Sequence, residues 1–237
     1  MNINEKIQNY QPTPDSIELV RKARIVLLAG IAGAGKDTIK RQLLEDNNFR
    51  DIVSHTTRQP RINNGVAEID GQAYHFIDND EASEMIDQRD FIEVKLVHSG
   101  AIYGTSVAEV RAGYDDDKTL ITDVDVQGVD EFKELSSRVI AIFILPPSYS
   151  TWRKRLASRY QSEAEFAAEW PKRRDSAIDE LNRALTVPYY HFVINDDLEV
   201  AVRATAKIAN GDDEFNRKDD EARLAARDIL EELKASS

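Results

Sequence analysis

The sequence predicts an α/β fold with a mainly parallel sheet flanked by helices. Two observations carry that expectation. Residues 25–29, Ile-Val-Leu-Leu-Ala, form an unbroken apolar run ending at Gly30, the pattern of a strand buried on both faces. Beyond it, short strand-like runs alternate with helical patterns, which argues for crossover connections rather than hairpins. At 237 residues the chain can bury a sizeable core without disulfides or a structural metal.

The elements follow in order. Residues 1–22 are polar and read as an N-terminal extension, in which Pro12-Thr13-Pro14-Asp15-Ser16 can cap a short helix running to about Lys22. After the strand at 25–29 comes a helix from about Thr38 to Glu45. Further strands are expected at Tyr74–Ile77, Phe91–Val97, Thr119–Val124, Val139–Leu145 and Phe192–Ile194. Helical patterns fall near 80–88, 106–113, 149–159 and 172–185. A last helix, from Asp219 to Lys234, puts Ala226, Ile229, Leu230 and Leu233 on one face. Its acids lead and Lys234 trails, as the helix dipole prefers. It is expected to dock on its own domain.

Charge narrows the function. The formal net charge is −12, so a broad surface for nucleic acid or an anionic membrane is not expected, and an anionic substrate would need positive charge concentrated locally. The absence of cysteine removes disulfides and thiolate chemistry. His55, His75, His98 and His191 are too far apart in sequence for a local metal-ligand spacing. The first residues lack the apolar core of a signal peptide, and no run approaches the ~18 apolar residues of a membrane span. A cytoplasmic protein, monomer or homodimer, is the expectation.

Gly30-Ile31-Ala32-Gly33-Ala34-Gly35-Lys36-Asp37-Thr38 lies between the buried strand and a helix. Glycines let backbone N–H groups curl around phosphate oxygens without Cβ clashes. The following helix aims its positive end at the same place, and Lys36 reaches the β- and γ-phosphates as a compact cation. Gly30, Ala32, Gly33, Ala34, Gly35, Lys36, Asp37 and Thr38 are therefore the expected ATP contacts, and the fold is expected to be that of P-loop NTPases. The strict motif asks for Ser or Thr directly after the lysine, where this chain has Asp37. Thr38, one residue on, can supply the hydroxyl for Mg²⁺. Asp37 either meets the solvated ion or turns away as a helix cap.

A second constellation follows. Ser54-His55-Thr56-Thr57-Arg58-Gln59-Pro60-Arg61 precedes Gly71-Gln72-Ala73-Tyr74-His75-Phe76, then Phe91-Ile92-Glu93 and Tyr103-Gly104-Thr105. Asp123-Val124-Asp125-Val126-Gln127-Gly128, Leu145-Pro146-Pro147-Ser148 and Asn195-Asp196-Asp197-Leu198 come after. In this order, over about residues 24–208, the sequence closely resembles guanylate kinases. The resemblance implies phosphoryl transfer from ATP to GMP or dGMP, with Mg²⁺, giving ADP and the nucleoside diphosphate.

Carried over residue by residue, the resemblance makes Arg58 and Arg61 the clamp on the GMP phosphate, helped by Tyr74 and Tyr103. Guanidinium forks suit phosphate because they offer paired donors in a rigid plane. Ser54, Glu93, Thr105 and Asp125 become the readers of the base, with Gly104 beside them. Guanine presents N1–H and an exocyclic amine as adjacent donors, and a carboxylate accepts from both. Adenine would leave a buried acceptor unpaired, at a cost of ~1–3 kcal/mol.

Asn195 matches a position near the adenine of ATP. Arg155 and Arg159, expected four apart on one helical face, match arginines that close over the transferred phosphoryl group. So does Arg173, expected to open the helix leading to Glu180. Arg174 is its neighbour, and the spacing to Glu180-Leu181 selects Arg173. Asp123 and Thr38 would hold Mg²⁺ through its water shell. On this reading residues 23–210 form the kinase-like domain, with a GMP-binding lobe at about 54–112 and a lid at about 153–174. Residues 211–237 are a C-terminal extension.

Taken singly, each of these residues has a plainer reading as a solvated or packed side chain; their common order favours function. The chain departs from the family at Asp37, in a longer loop carrying Ile62-Asn63-Asn64-Gly65, at Ala73 and Ala101-Ile102, and in residues 160–172, which lack the common Gly-Thr. Two other readings stay open. A small-metabolite kinase of the ribose-bisphosphate kind carries Lys-Asp-Ser in its loop and would account for Asp37. A non-catalytic guanylate-kinase-like binding module would account for the acceptor motifs.

Overall fold

The computed structural model describes residues 2–63, 66–97, 100–211 and 219–236; Asn64, Gly65 and His98 lie outside the described residues. Its helices are α1 (Ile3–Gln8), α2 (Pro14–Lys22), α3 (Lys36–Leu43), α4 (Asn79–Gln88), α5 (Val107–Asp115), α6 (Val126–Leu135), α7 (Tyr149–Ala157), α8 (Glu163–Thr186), α9 (Leu198–Ala209) and α10 (Asp219–Ala235). Its strands are β1 (Arg24–Ala29), β2 (Phe49–Asp51), β3 (His55–Thr56), β4 (Ile62–Asn63), β5 (Val66–Ala67), β6 (His75–Phe76), β7 (Phe91–Leu96), β8 (Ile102–Ser106), β9 (Thr119–Asp123), β10 (Ile140–Leu145) and β11 (Tyr190–Ile194). Two compact units divide the chain. The first comprises Met1–Ile25, Asn48–Thr122 and Glu131–Val139; the second comprises Val26–Asn47, Asp123–Asp130 and Ile140–Ser237.

Parallel pairing defines the second unit. β10 lies between β1 and β11, with Leu28 opposite Ile142 and Phe143 opposite Phe192. Val26, Leu27, Leu28, Phe143, Ile144 and Leu145 are wholly buried, which is why these strands read as continuous apolar runs rather than alternating ones. α10 packs on α7, α8 and β11 and buries Ala226, Ile229, Leu230 and Leu233, as its pattern predicts.

The first unit pairs β2 with β9 in parallel and builds a separate sheet in the order β6-β3-β8-β7. There β3 runs parallel to β6 and antiparallel to β8, and β7 runs antiparallel to β8. β4 and β5 form a small antiparallel ribbon. Helix α2 starts as expected, with Pro14 in its first turn and the Thr13 side chain accepting the Ser16 N–H. Both N-terminal helices pack on β7, α1 also on α4 and α2 also on α5.

The structure corrects two helix boundaries. α7 ends at Ala157 and Arg159 sits in the turn beyond, so Arg155 and Arg159 do not share a helical face. α8 begins at Glu163 and runs through Pro171, which places Arg173 mid-helix rather than at its opening. Proline ordinarily ends a helix by removing a donor and clashing with the preceding turn. Here Phe166 and Trp170, just before it, stack on Tyr160, Tyr149 and Trp152, and that aromatic packing carries the helix on.

Candidate active site

The phosphate loop and the residues that tie it belong to the second unit. Gly30, Gly33 and Gly35 all have positive φ, a conformation that disfavours side chains. A Cβ on Gly30 would stand 2.3 Å from the Ile144 carbonyl oxygen, and one on Gly35 2.2 Å from Asn195 Nδ2. Three side chains hold the loop by its carbonyls. Lys36 Nζ donates to Gly30 O at 2.5 Å, Trp152 Nε1 to Ala32 O at 2.7 Å, and Asn195 Nδ2 to Ala34 O at 2.8 Å. Arg155 Nη1 in turn donates to the Asn195 carbonyl at 2.9 Å.

Gly35 precedes α3 without a side-chain cap, and Asp37 lies in the first turn, where a carboxylate interacts favourably with the helix dipole. Thr38 follows in the same turn. Asp123 Oδ1 pairs with Lys40 Nζ at 2.8 Å. Burial would raise the Asp123 pKa, but Lys40 and then Lys36 outweigh it and hold the carboxyl below its usual range. Asp123 is therefore an anion at neutral pH. Asp125 Oδ1 accepts the Gly128 N–H at 2.7 Å, within the first turns of α6. It belongs to this unit, whereas Ser54, Glu93 and Thr105 belong to the other.

Glu180 is an acidic residue that the sequence marks only as a spacing landmark, and its carboxyl sits above the usual range. Burial pushes its carboxyl up, Lys36 pulls it down, and a 2.9 Å hydrogen bond from Ser176 also lowers it, while Asp125 raises it. Arg173 adds a further lowering influence and donates from Nε to Tyr160 Oη at 2.9 Å. Arg174 is engaged with Asp175 at 3.0 Å and with the Ser236 carbonyl at 3.3 Å. Arg153 stacks over Trp170 instead. Arg159 is exposed.

The acceptor-side residues of the first unit gather on the β6-β3-β8-β7 sheet. Arg58 forks onto Glu68, Nη1 to Oε2 at 2.8 Å and Nη2 to Oε1 at 3.1 Å, and its Nε meets Tyr103 Oη at 2.9 Å. The Tyr74 and Phe76 rings lie 5.1 and 5.8 Å from the same guanidinium. Both members of the Arg58–Glu68 pair are largely buried, at 11% and 14% exposed. The hydrogen bond from Arg58 holds the Glu68 carboxyl below its ordinary range. The Arg61 N–H also donates to Glu68, at 2.8 Å, while its side chain is exposed. Glu68 thus organises the arginine pair, and the sequence offered no spacing signal for it.

Glu93 and Thr105 are opposite each other in the β7–β8 pairing. Glu93 Oε2 and Thr105 Oγ1 are buried without a hydrogen-bond partner among the described residues. Burial pushes the Glu93 carboxyl above its usual range, with Lys95 opposing. Gly104 is tightly enclosed: a Cβ there would stand 2.8 Å from the Phe91 ring and 2.9 Å from the Glu93 carbonyl oxygen. Ser54 precedes β3, and its carbonyl accepts the His75 N–H at 2.9 Å. Buried polar atoms left unbonded are uncommon and costly, and two neighbours of this kind suit a ligand that brings donors.

Among the described residues no cluster of three or more His, Cys, Asp or Glu could hold a metal ion by itself. The oxygens near the phosphate loop, Thr38 Oγ1 and the ionised Asp123, are hard donors that fit Mg²⁺ arriving on a nucleotide.

A family model for guanylate kinase matches residues 22–210. A guanylate kinase of Methylobacillus flagellatus is 37% identical over 182 residues, covering 76% of this chain and 85% of that protein. Guanylate kinase 1 of Oryza sativa is 35% identical over 198 residues, 82% of this chain, and this chain spans half the length of the rice protein. The crystal structure of guanylate kinase from Anaplasma phagocytophilum matches with a TM-score of 0.59 at 26% identity, covering 81% of this chain and 86% of that one.

Proposed function

This chain belongs to the guanylate kinase family, with the P-loop NTPase fold and phosphoryl transfer from ATP to GMP as its reaction; we propose that its two units divide that work, the second holding ATP and the first reading GMP. The observation that carries this reading is the pair of buried, unbonded oxygens, Glu93 Oε2 and Thr105 Oγ1. Guanine's adjacent N1–H and amine donors complement the carboxylate, and Ser54 completes the proposed base contacts within this unit; Asp125, which the resemblance groups with them, belongs to the second unit. Arg58 and Arg61, with Tyr74 and Tyr103, take the GMP phosphate within a GMP-binding lobe at about residues 54–112.

The GMP phosphate oxygen is already anionic near neutral pH, so no strong general base is needed. Catalysis rests on positioning two polyanions in line and neutralising the charge between them. The loop from Gly30 to Thr38 cradles the ATP phosphates, and Asn195 lies by the adenine. Lys36 with Arg155, Arg159 and Arg173 stabilises the moving phosphoryl group. Arg173 is favoured over Arg174 because Arg174 is spent on Asp175 and Ser236. Thr38 and Asp123 are the residues that would hold Mg²⁺, which would supply positive charge to neutralise the phosphates. A lid at about residues 153–174 would exclude water, the competing acceptor. A cytoplasmic location suits these substrates. Among the described residues no helix is long and apolar enough to cross a membrane.

Glu93→Gln tests the reading. Its amide offers one acceptor and one misplaced donor to guanine, so KM for GMP should rise about tenfold or more, as for a lost charged hydrogen bond, while KM for ATP stays put. An unchanged preference for GMP over AMP would contradict the assignment.

A further inference from the structure

Residues 1–21 lie outside the matched family region, yet they are tied to the strand that carries Glu93. Tyr10 is the joint. Its hydroxyl donates to the Phe91 carbonyl at 2.5 Å and accepts the Phe91 N–H at 3.0 Å. β7 is an edge of its four-stranded sheet, and edge strands present backbone groups with no neighbouring strand. At Phe91 one side chain satisfies both. Burial holds the Tyr10 phenol above its usual range, so it keeps the proton it donates. Behind it, Lys6 Nζ reaches Asp87 at 2.5 Å and Ser83 Oγ at 2.8 Å, fastening α1 to α4.

Phe91 is poised to pass this restraint on. It is wholly buried, and its ring packs so closely on Gly104 that no Cβ would fit between them. Thr105 follows Gly104 directly. Glu93 comes two residues after Phe91, across a register shift in the β7–β8 pairing, the kind of irregularity that re-aims a side chain. A shift of the Phe91 backbone would therefore move both unbonded oxygens of the base-reading pair.

We infer that Tyr10 is a positioning residue for guanine recognition: the N-terminal extension clamps the start of β7 and so sets where Glu93 and Thr105 point. This rests on the reading of Glu93 as the base-binding carboxylate. Tyr10 itself would not touch GMP.

The test is Tyr10→Phe in the full chain, assayed with GMP, with inosine monophosphate, which lacks the exocyclic amine, and with ATP as the varied substrate. KM for GMP should rise about fivefold, the scale of a lost buried hydrogen bond. The preference for GMP over inosine monophosphate should shrink, while kcat and KM for ATP stay unchanged. Deleting residues 2–12 should shrink that preference further. Equal rises in KM for GMP and ATP, or a lower melting temperature with GMP kinetics unaltered, would reduce Tyr10 to a structural contact and overturn the proposal. Glu93→Gln run alongside separates the two claims. If it narrows the preference and Tyr10→Phe does not, the positioning role fails; if it leaves the preference intact, the base-reading assignment fails and the proposal with it.

Discussion

In the second unit the phosphate loop is tied at three carbonyls, by Lys36 on Gly30, Trp152 on Ala32 and Asn195 on Ala34. In the first unit Glu93 Oε2 and Thr105 Oγ1 are buried with no partner among the described residues. The contrast is one of preorganisation against unmet demand. A loop whose shape is already fixed lowers the ordering cost of binding any nucleoside triphosphate. Unbonded buried oxygens repay only a ligand that brings the right donors, and so favour discrimination over affinity. The arginine clamp is intermediate: Arg58 is preorganised, but by an anion, Glu68, that competes for the same fork.

The comparison can be broken first at Lys36. Lys36→Ala removes the cation proposed to meet the transferred phosphoryl group, and kcat should fall about 10³-fold or more. GMP affinity, measured by calorimetry, should change little. A near-normal rate would end the assigned role.

Trp152→Phe sharpens the preorganisation side. Phenylalanine keeps most of the buried aromatic packing but frees the Ala32 carbonyl, so KM for ATP should rise about fivefold, the scale of one hydrogen bond. KM for GMP should not follow. A matching rise in both would mean that Trp152 stabilises the fold generally rather than the loop.

The smallest effect is in pH. Burial raises the Glu93 pKa, with Lys95 opposing, whereas guanine's donors favour the carboxylate. GMP binding therefore releases a proton from the fraction of Glu93 that holds one, and it weakens as pH falls through the raised pKa. Inosine monophosphate carries the same phosphate, so comparing the two cancels phosphate titration. The ratio of their KM values should narrow toward acid pH, and a flat ratio would contradict the assignment. His55, held down to about 4 by burial and by His75, stays neutral through most of that range. An unfolded chain takes up the proton that the folded His55 refuses, so stability should fall as pH drops from 6.5 toward about 4.

Contiguous motifs were legible in the sequence because their chemistry is local. A glycine loop between strand and helix, or Thr57-Arg58-Gln59-Pro60-Arg61, carries its meaning in adjacent residues. Glu68, Trp152, Glu180 and Tyr10 act through space instead. Trp152 reaches a carbonyl 120 residues away, and Tyr10 one 81 residues away, and no spacing rule finds such partners. Among the elements, the buried strands β1, β9 and β10 were plain from their apolar runs, and α10 from its periodicity. β3 is two residues long, and α9 buries mostly alanines, so neither leaves a strong pattern. Pro171 hid the first half of α8, since aromatic packing overrode a local rule.

The most direct test of the central claim is ADP release by the purified protein with MgATP, comparing GMP, AMP, UMP, ribose 1,5-bisphosphate and water as acceptors. Rapid release with GMP alone is the predicted result, with Asp37 a tolerated variation of the loop. Silence with GMP despite measurable GMP binding, or release with a different acceptor, would contradict it.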